Sequence, residues 1–310
     1  MLRKTCCLLL VALCWFNFSV EQTQAQQKDK ENPLAKAKSE IYKKVGDVEL
    51  KMYIFEPQGA KSDTPRPAIV FFFGGGWKGG SPSQFVPHCE YLASRGMVAM
   101  AAEYRIHSKH KVNVSQCVTD AKSAIRWARS QAKTLNIDPQ RIASGGGSAG
   151  GHLAAAVATL EGFEEAGEDQ TISSKPNAML LFNPALDLTA TGFQVEENSP
   201  RMAELYTRLG AKPAELSPNH HIAAGLPPAI VFHGKADTTV PYAQAEKFAE
   251  LMQAAGNRCQ LVGYAGEAHG FFNFGRGGNK AYTATLSEAD EFFTSLGYLP
   301  AKPTLQPKAE

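Results

Sequence analysis

The sequence predicts an α/β fold, with a mainly parallel central sheet, helices on both faces and an antiparallel hairpin at the N-terminal end. Runs that are apolar at every position are typical of strands buried on both faces of a parallel sheet. They occupy residues 68–73, 97–102, 178–182 and 229–232, with a weaker run at 141–145. Because amphipathic helical patterns fill the intervening segments, the alternation indicates an α/β protein.

The N-terminal segment has the pattern of a secretory signal peptide over residues 1–25. Arg3 and Lys4 precede an apolar run at 6–16, and a polar stretch follows with a cleavage site near Ala25. The apolar run is shorter than the roughly 20 residues that a spanning helix needs. We therefore expect a secreted or periplasmic protein with no stable membrane insertion after the signal is removed. An uncleaved anchor and a lipoprotein attached through Cys14 are the alternatives.

A flexible leader is predicted at residues 26–40, which are rich in Gln and Lys, and one catalytic domain at 41–298. The domain opens with two strand-like runs at 41–57 around Gly46-Asp47, the pattern of a hairpin. The last residues, 299–310, are predicted to form a loose tail.

Three amphipathic helices are predicted from apolar residues that recur at spacings of three and four. The second is preceded by Pro241 and followed by Gly256, residues that favour a helix start and a helix end. The stripes are Val114, Val118, Ala121, Ile125, Ala128, Ala132 and Leu135; Ala245, Phe248, Met252 and Ala255; and Leu286, Ala289, Phe293 and Leu296.

Two inserts interrupt the alternation of strands and helices. Residues 161–175 are acidic and helix-breaking, and residues 187–227 are long for a connection and include a helical stretch at 201–209. Long inserts at the carboxyl edge of a sheet often cover a functional site, so 187–227 is a candidate small cap. Decoration remote from any chemistry is the alternative.

Composition excludes several classes of protein. The chain has 310 residues, 44% of them apolar, and a net charge of +2. These values favour a globular protein, and the lack of a long basic run argues against nucleic-acid binding. Without the signal segment, one disulfide plus a free thiol remains open among Cys89, Cys117 and Cys259. No cysteine–histidine pattern suggests zinc, and His107 and His110 lack a third ligand nearby in sequence, so we expect no metal.

The chemistry centres on Ser148, within Gly146-Gly147-Ser148-Ala149-Gly150. This G-x-S-x-G motif follows the strand-like RIASG and precedes the Ala-rich GHLAAAVATL. A serine on a sharp strand-to-helix turn projects its hydroxyl outward, and the turn requires small neighbours. The context predicts that Ser148 is a nucleophile.

A serine nucleophile needs a base and an acid that orients the base. His269 lies in the small-residue loop GEAHGF before the last helix, and Asp237 follows a strand within HGKADTTVP. The order Ser148, Asp237, His269 is that of α/β-hydrolases. Asp187 and Glu267 are alternative acids. Six other histidines are interpreted as structural or exposed: His107, His110, His152, His220, His221 and His233.

A glycine-rich loop, Phe73-Gly74-Gly75-Gly76-Trp77, follows the first parallel strand. Glycines let the backbone approach a reacting carbonyl group. The N–H groups of Gly75, Gly76 and Ala149 are therefore candidate oxyanion donors.

The segments FFGGGW, EYR, DAKSAIRWAR, GGGSAGGHLA, HGKADTTVP and EAHGF resemble those of α/β-hydrolase-fold esterases. The most similar types are hormone-sensitive-lipase-like and feruloyl and acetyl-xylan esterase-like (BD-FAE-type) enzymes, and the resemblance covers about residues 41–298. It implies ester hydrolysis through an acyl-enzyme, without metal or organic cofactor. It gives Ser148, Asp237 and His269 the roles of nucleophile, acid and base. Gly75, Gly76 and Ala149 match the oxyanion donors.

One departure from the family pattern is Phe73, where the loop usually begins with histidine. Because Phe cannot hydrogen-bond the loop into shape, we expect packing of Phe73 and Trp77 to place it. Trp77, Phe85 and Tyr242 are candidate substrate-binding aromatics, with core packing as the alternative for each.

These features predict an exported serine carboxylesterase that removes short acyl groups, such as acetyl, from carbohydrate or from small esters. The alternatives are a serine peptidase of prolyl-oligopeptidase type, an inactive binding module and a long-chain lipase. The peptidase is disfavoured because no propeller-sized region accompanies the domain, and the inactive module because all three candidate catalytic residues are present. The long-chain lipase is disfavoured because the insert 187–227 is partly charged. The oligomeric state stays open.

Overall fold

The computed structural model describes residues 32–58 and 64–301, and the chain divides into two compact units, 1–38 and 39–310. The predicted signal peptide and residues 302–310 of the predicted tail lie outside the described residues. In the first unit, Pro33–Lys36 forms a 3₁₀ helix whose first turn is capped by the Asn32 side chain. Strand β1 then begins at Lys38, so regular structure starts inside the predicted leader.

Within residues 32–58 and 64–301, the central sheet has eight strands in the order β1-β2-β4-β3-β5-β6-β7-β8. Strand β2 runs antiparallel to β4, and the six strands from β3 to β8 are parallel. This topology confirms the predicted parallel sheet with antiparallel strands at its start. The strands are β1 Lys38–Val45, β2 Val48–Phe55, β3 Arg66–Phe72, β4 Val98–Ala102, β5 Ile137–Gly147, β6 Ala178–Phe182, β7 Ala229–Gly234 and β8 Cys259–Tyr264.

Eight α-helices lie within the described residues, seven of them between strands and the eighth after β8. They are α1 Val86–Ser94, α2 His107–His110, α3 Val114–Ser130, α4 Ala149–Thr159, α5 Ala190–Phe193, α6 Pro200–Tyr206, α7 Tyr242–Ala254 and α8 Lys280–Ser295. Helix α4 packs on β5, on β6 and against α3, and all of its residues are buried. Its small side chains allow this close packing, which places the N-terminus of α4 at the carboxyl edge of the sheet.

The predicted helical patterns extend past the ends of their helices, by one residue at α7 and α8 and by more at α3 and α6. Helix α3 ends at Ser130, and Leu135 lies in the following turn although it is still buried. The chain turns there toward β5 through Asn136, which has a positive φ of 51°. Helix α6 ends at Tyr206 rather than at 209. An apolar pattern reports contact with the core, and turn residues can make that contact as well as helical ones.

The acidic insert at 161–175 packs against α3. Glu164 accepts a hydrogen bond from Lys122 Nζ at 2.6 Å, and Glu168 accepts one from Arg126 Nη1. Lys122 also donates to the carbonyl of Leu160 at 2.8 Å. These contacts give the insert a structural role.

The C-terminal boundary also differs from the prediction. Leu299 is buried, and the carbonyl of Pro300 accepts a hydrogen bond from Arg95 at 2.8 Å, so ordered packing continues past residue 298. Cys89, Cys117 and Cys259 are all buried free thiols, which settles the disulfide that the sequence left open. Among the described helices, none has the length and apolarity to span a membrane.

Candidate active site

Ser148 lies on the turn between β5 and α4, where the motif predicts it. Its backbone has φ 56° and ψ −120°, an unfavourable conformation for a residue with a side chain. Its N–H donates to the carbonyl of Phe182 at 2.9 Å. A Cβ at Gly146 or at Gly150 would collide with the carbonyl of Phe72. The two outer glycines are therefore required because the backbones of this turn and of β3 lie in close contact.

The structure brings together the three residues predicted to form the triad. Oγ of Ser148 lies 2.8 Å from Nε2 of His269, and Nδ1 of His269 lies 2.6 Å from Oδ2 of Asp237. An ionised carboxylate only accepts hydrogen bonds, so Nδ1 carries the proton and Nε2 is free to accept from the serine hydroxyl. This arrangement can remove the proton of Ser148.

The Asp237 carboxylate is wholly buried, whereas the His269 side chain is 23% exposed. Oδ1 accepts from the N–H groups of Thr239 and Val240 at 2.8 and 2.9 Å. Burial alone would raise the pKa of Asp237, but hydrogen bonds from His233, His269 and the Val240 N–H outweigh it. They hold the pKa of Asp237 well below its usual range, so the group beside His269 is a stable anion.

The other candidate acids and bases lie elsewhere. Asp187 faces His220 at 3.3 Å and accepts from Thr189, which leaves it outside the triad. The buried His152 contacts the carbonyl of Leu216 through Nε2 at 2.7 Å. The interpretation of His233 as structural needs one addition, because its Nε2 lies 3.3 Å from Asp237 Oδ2 and it therefore supports the site.

The loop at residues 73–77, hereafter the oxyanion loop, is held by packing and by hydrogen bonds. Phe73 stacks on Tyr104 with ring centroids 4.2 Å apart, and Trp77 lies edge-on to His152 at 5.2 Å. This is the packing that the sequence predicts. Polar contacts that it did not predict are also present, since the Tyr104 hydroxyl donates to the Phe73 carbonyl at 2.8 Å.

Two long polar side chains also anchor the oxyanion loop. Oε1 of Gln84 accepts from the N–H of Gly74 at 2.6 Å, and Nη1 of Arg208 donates to the carbonyl of Gly76 at 3.1 Å. Arg208 belongs to the predicted cap at 187–227. Gln84 supplies a polar restraint that Phe73 cannot provide.

The candidate oxyanion donors are available for a ligand. Within residues 32–58 and 64–301, the N–H groups of Gly75 and Gly76 donate no hydrogen bond to another protein group. Ala149 is the first residue of α4, where an N–H has no intrahelical acceptor. Gly76 and Ala149 line the same cavity as Ser148, whereas Gly75 is not among the lining residues.

The cavity beside Ser148 has a volume of about 170 Å³. Part of its wall comes from the insert 187–227, through Phe193, Arg201, Glu204, Leu205 and Arg208. Glu204 pairs with Lys78 at 2.8 Å and faces Arg208 at 3.6 Å, and Arg201 lies 4.3 Å over the ring of Phe193. The wall therefore presents charged side chains together with apolar ones.

A larger cavity of about 700 Å³ lies between the segments 158–177 and 221–227. It contains none of the three triad candidates. Chemistry, not size, therefore selects the cavity at Ser148.

Only one of the three candidate substrate-binding aromatics lines the cavity at Ser148. Trp77 does so, whereas Phe85 is fully buried and stacks on Phe71 at 4.7 Å. Tyr242 packs edge-on against His233 at 5.6 Å and is not among the lining residues. Phe85 therefore packs in the core, which was its alternative role, and Tyr242 lies outside the lining of the cavity at Ser148. The 3₁₀ turn Pro82–Phe85 directs the Phe85 ring into an aromatic cluster of the core.

Several residues of the site were missed by sequence reasoning. Gln84, Asn183, Asn273 and Arg208 each make a hydrogen bond to a residue that is distant in sequence. For example, Oδ1 of Asn183 accepts from the N–H of Gly270 at 3.0 Å. A weak signal exists for Asn183, which directly follows the apolar run of β6, at the edge where functional groups gather.

Comparison with known proteins agrees with this geometry. The chain is 55% identical to Thermogutta terrifontis esterase 2, whose phosphonylated structure covers 87% of this chain and 98% of its own, with a TM-score of 0.82. It is 28% identical to a probable isoprenylcysteine alpha-carbonyl methylesterase of Arabidopsis thaliana, over 67% of this chain and 46% of that protein. It is 26% identical to an acetylxylan esterase of Xylanibacter ruminicola, over 59% and 36%.

The chain spans about half the length of the first curated relatives that it matches. Its structural likeness to Thermogutta terrifontis esterase 2 covers nearly the whole of that chain. The sheet order and its parallel strands are those of the α/β-hydrolase fold. The family match extends over residues 52–252, more than half of the chain and including Ser148 and Asp237. The protein therefore belongs to the BD-FAE family.

Proposed function

We propose that this protein is a carboxylic ester hydrolase that acts through an acyl-enzyme on Ser148. The observation that carries the proposal is the continuous series of hydrogen bonds from Ser148 Oγ through His269 to the buried Asp237. The names of the relatives support it, since these include carboxylesterases and esterases.

In the proposed reaction, Nε2 of His269 accepts the Ser148 proton while Oγ attacks the ester carbonyl. The N–H groups of Gly75, Gly76 and Ala149 donate to the oxyanion that forms. Asp237 stabilises the resulting imidazolium, which then protonates the departing alcohol. Water, deprotonated by His269, attacks the acyl-serine and releases the acid, which restores the free enzyme.

The proposed substrates are esters of short acyl groups, with acetyl esters of carbohydrate as one class. A cavity of about 170 Å³ at Ser148 suits a small acyl group, and its charged wall disfavours the long-chain lipase alternative. Thermogutta terrifontis esterase 2 has structures with propionate and with butyrate bound. The acetylxylan esterase among the relatives supports the carbohydrate class.

We also propose that the protein is exported, on the strength of the pattern at residues 1–25. Expression of the full chain in a bacterial host and mass spectrometry of the product test this. We expect a mature N-terminus near residue 26 in the periplasm or medium. A cytoplasmic product that retains Met1 would contradict export.

Hydrolysis of p-nitrophenyl acetate by the purified protein tests the activity itself. We expect a rate far above background that Ser148→Ala abolishes and that Ser94→Ala, at an exposed serine, preserves. Equal rates in the wild type and Ser148→Ala would contradict the proposal. Dipeptide p-nitroanilides would then test the peptidase alternative.

A further inference from the structure

We propose that Gln84 and Asn273 form an amide bridge that positions the oxyanion loop relative to the loop carrying His269. The inference rests on the proposed ester hydrolysis for its kinetic consequence, but not for its structural one. Residues 266–271 are hereafter the histidine loop. Neither Gln84 nor Asn273 lines the cavity at Ser148, so both act as positioning residues.

Three hydrogen bonds connect the two loops. Gly74 N–H donates to Oε1 of Gln84 at 2.6 Å, Nε2 of Gln84 donates to Oδ1 of Asn273 at 2.9 Å, and Nδ2 of Asn273 donates to the Gly270 carbonyl at 2.8 Å. The direction of every bond is determined, because the Gly74 N–H only donates and the Gly270 carbonyl only accepts. Each bridging side chain must both accept and donate, which a carboxamide does and an ionised carboxylate does not.

Both ends of the bridge lie next to groups that the reaction uses. A Cβ at Gly74 would lie 3.4 Å from Cβ of Ser148, and the next two residues carry the candidate oxyanion donors. Gly270 directly follows His269, whose own carbonyl accepts from Arg276 at 3.0 Å. The bridge therefore restrains the oxyanion donors and the imidazole relative to one another.

That restraint matters because both groups act on the same tetrahedral intermediate. The oxyanion loop and the histidine loop are distant in sequence and follow different strands, β3 and β8. A displacement of about 1 Å in such a site can slow a reaction by about 100-fold. The side chain of Phe73 can make no hydrogen bond, so the Gln84 amide supplies the polar side-chain contact that links the oxyanion loop to Asn273.

The kinetic test uses Gln84→Met and Asn273→Leu, which keep similar volumes and remove the amides. We expect the acylation rate, measured as the pre-steady-state release of p-nitrophenol from the acetate ester, to fall by about 10- to 100-fold in each variant. The inhibition constant of butyrate should change less than threefold, because the bridge does not line the cavity. The double variant should be no slower than the slower single variant, since either substitution breaks the same bridge.

Two carboxylate variants and one remote variant serve as controls. Gln84→Glu and Asn273→Asp each keep the acceptor and lose the donor, and we expect them to be impaired like the apolar variants. Gln131→Met, at an exposed amide of the turn after α3, should match the wild type. Rates that fall only in proportion to the folded fraction, or losses that multiply in the double variant, would overturn the bridge.

Hydrogen–deuterium exchange provides a readout that needs no turnover. In Asn273→Leu, the peptide covering residues 73–77 should exchange faster than in the wild type, although the substitution lies almost 200 residues away. Unchanged exchange there would overturn the proposal even if activity fell. If instead the wild type showed no Ser148-dependent hydrolysis while exchange rose as expected, the proposed function would fail and the bridge would stand.

Discussion

Nε2 of the buried His233 lies 3.3 Å from Oδ2 of Asp237, the same oxygen that faces His269. It also lies 3.0 Å from the carbonyl of Val240. Both neighbours are acceptors, so Nε2 of His233 carries a proton and donates to the acid loop. One carboxylate oxygen is thus approached by two imidazoles, that of His233 from strand β7 and that of His269, which also contacts Ser148.

His233→Phe removes the N–H that restrains Asp237 and leaves the Val240 carbonyl without this donor. We expect kcat for p-nitrophenyl acetate to fall by about tenfold, and the free energy of unfolding to fall by about 1–3 kcal/mol. Steady-state kinetics and thermal unfolding measure the two effects. His221→Phe, at a half-buried histidine that contacts the Ala214 carbonyl, is the control; equal effects at both positions would refute a special role for His233.

Asp237→Asn should be far more damaging than its small change in shape suggests. An amide can donate to Nδ1 of His269, which places the proton on Nε2 and blocks acceptance from Ser148. We expect kcat to fall by about 10⁴-fold with the fold retained. Because hydrogen bonds keep the pKa of Asp237 well below its usual range, the wild-type carboxylate stays ionised in mild acid and keeps its role as an acceptor. A loss of less than tenfold in Asp237→Asn would remove Asp237 from the triad.

His88 predicts how the stability of the protein depends on pH. It is fully buried among aromatic rings, and burial lowers its pKa from 6.5 to about 3. The unfolded chain therefore binds a proton below about pH 6.5 that the folded chain does not bind. Stability from this group is complete above pH 6.5 and falls by about 1.4 kcal/mol per pH unit toward pH 3.

His88→Phe should remove that acid sensitivity. Within the described residues neither ring nitrogen of His88 has a hydrogen-bond partner, so the substitution breaks no such bond. Urea unfolding at pH 7 and at pH 5 provides the measurement. We expect the difference in unfolding free energy between the two pH values to be smaller in the variant; an unchanged difference would assign the acid sensitivity to other groups.

Leu205→Ala should shift acyl-chain preference. Leu205 lines the cavity of about 170 Å³ at Ser148, and its truncation enlarges the space. We expect the ratio of kcat/KM for p-nitrophenyl hexanoate over acetate to rise by about tenfold, within the range that a few methylenes contribute in an apolar pocket. Leu209→Ala, at a buried leucine of the same insert that does not line the cavity, controls for loosening of the cap. A similar rise in both variants would contradict a direct role for Leu205.

Local patterns in the sequence predicted most of the sheet and the position of Ser148. Runs such as 68–73 and 178–182 form buried parallel strands. A strand that is apolar at every position presents apolar side chains on both faces of the sheet, so both faces must be covered. Local patterns did not distinguish an aromatic residue of the core from an aromatic residue of the cavity wall. Phe85 and Trp77 are both aromatic residues near the glycine loop, yet one is fully buried in the core and the other lines the cavity.

The sequence by itself determined the order of strands and helices, the strained turn at Ser148 and the candidate triad, since these depend on residues that are neighbours or on a known chain order. The tertiary structure alone decided that Nδ1 of His269 contacts Asp237 and not the alternative acid Asp187, that Gln84 and Arg208 hold the oxyanion loop, and that Phe85 and Tyr242 do not line the cavity at Ser148. The physical reason is the sequence separation over which each interaction acts. Periodicity and turn chemistry act between residues close in the chain, whereas a hydrogen bond such as that from Gln84 to Asn273 exists only after the sheet has brought distant loops to one edge.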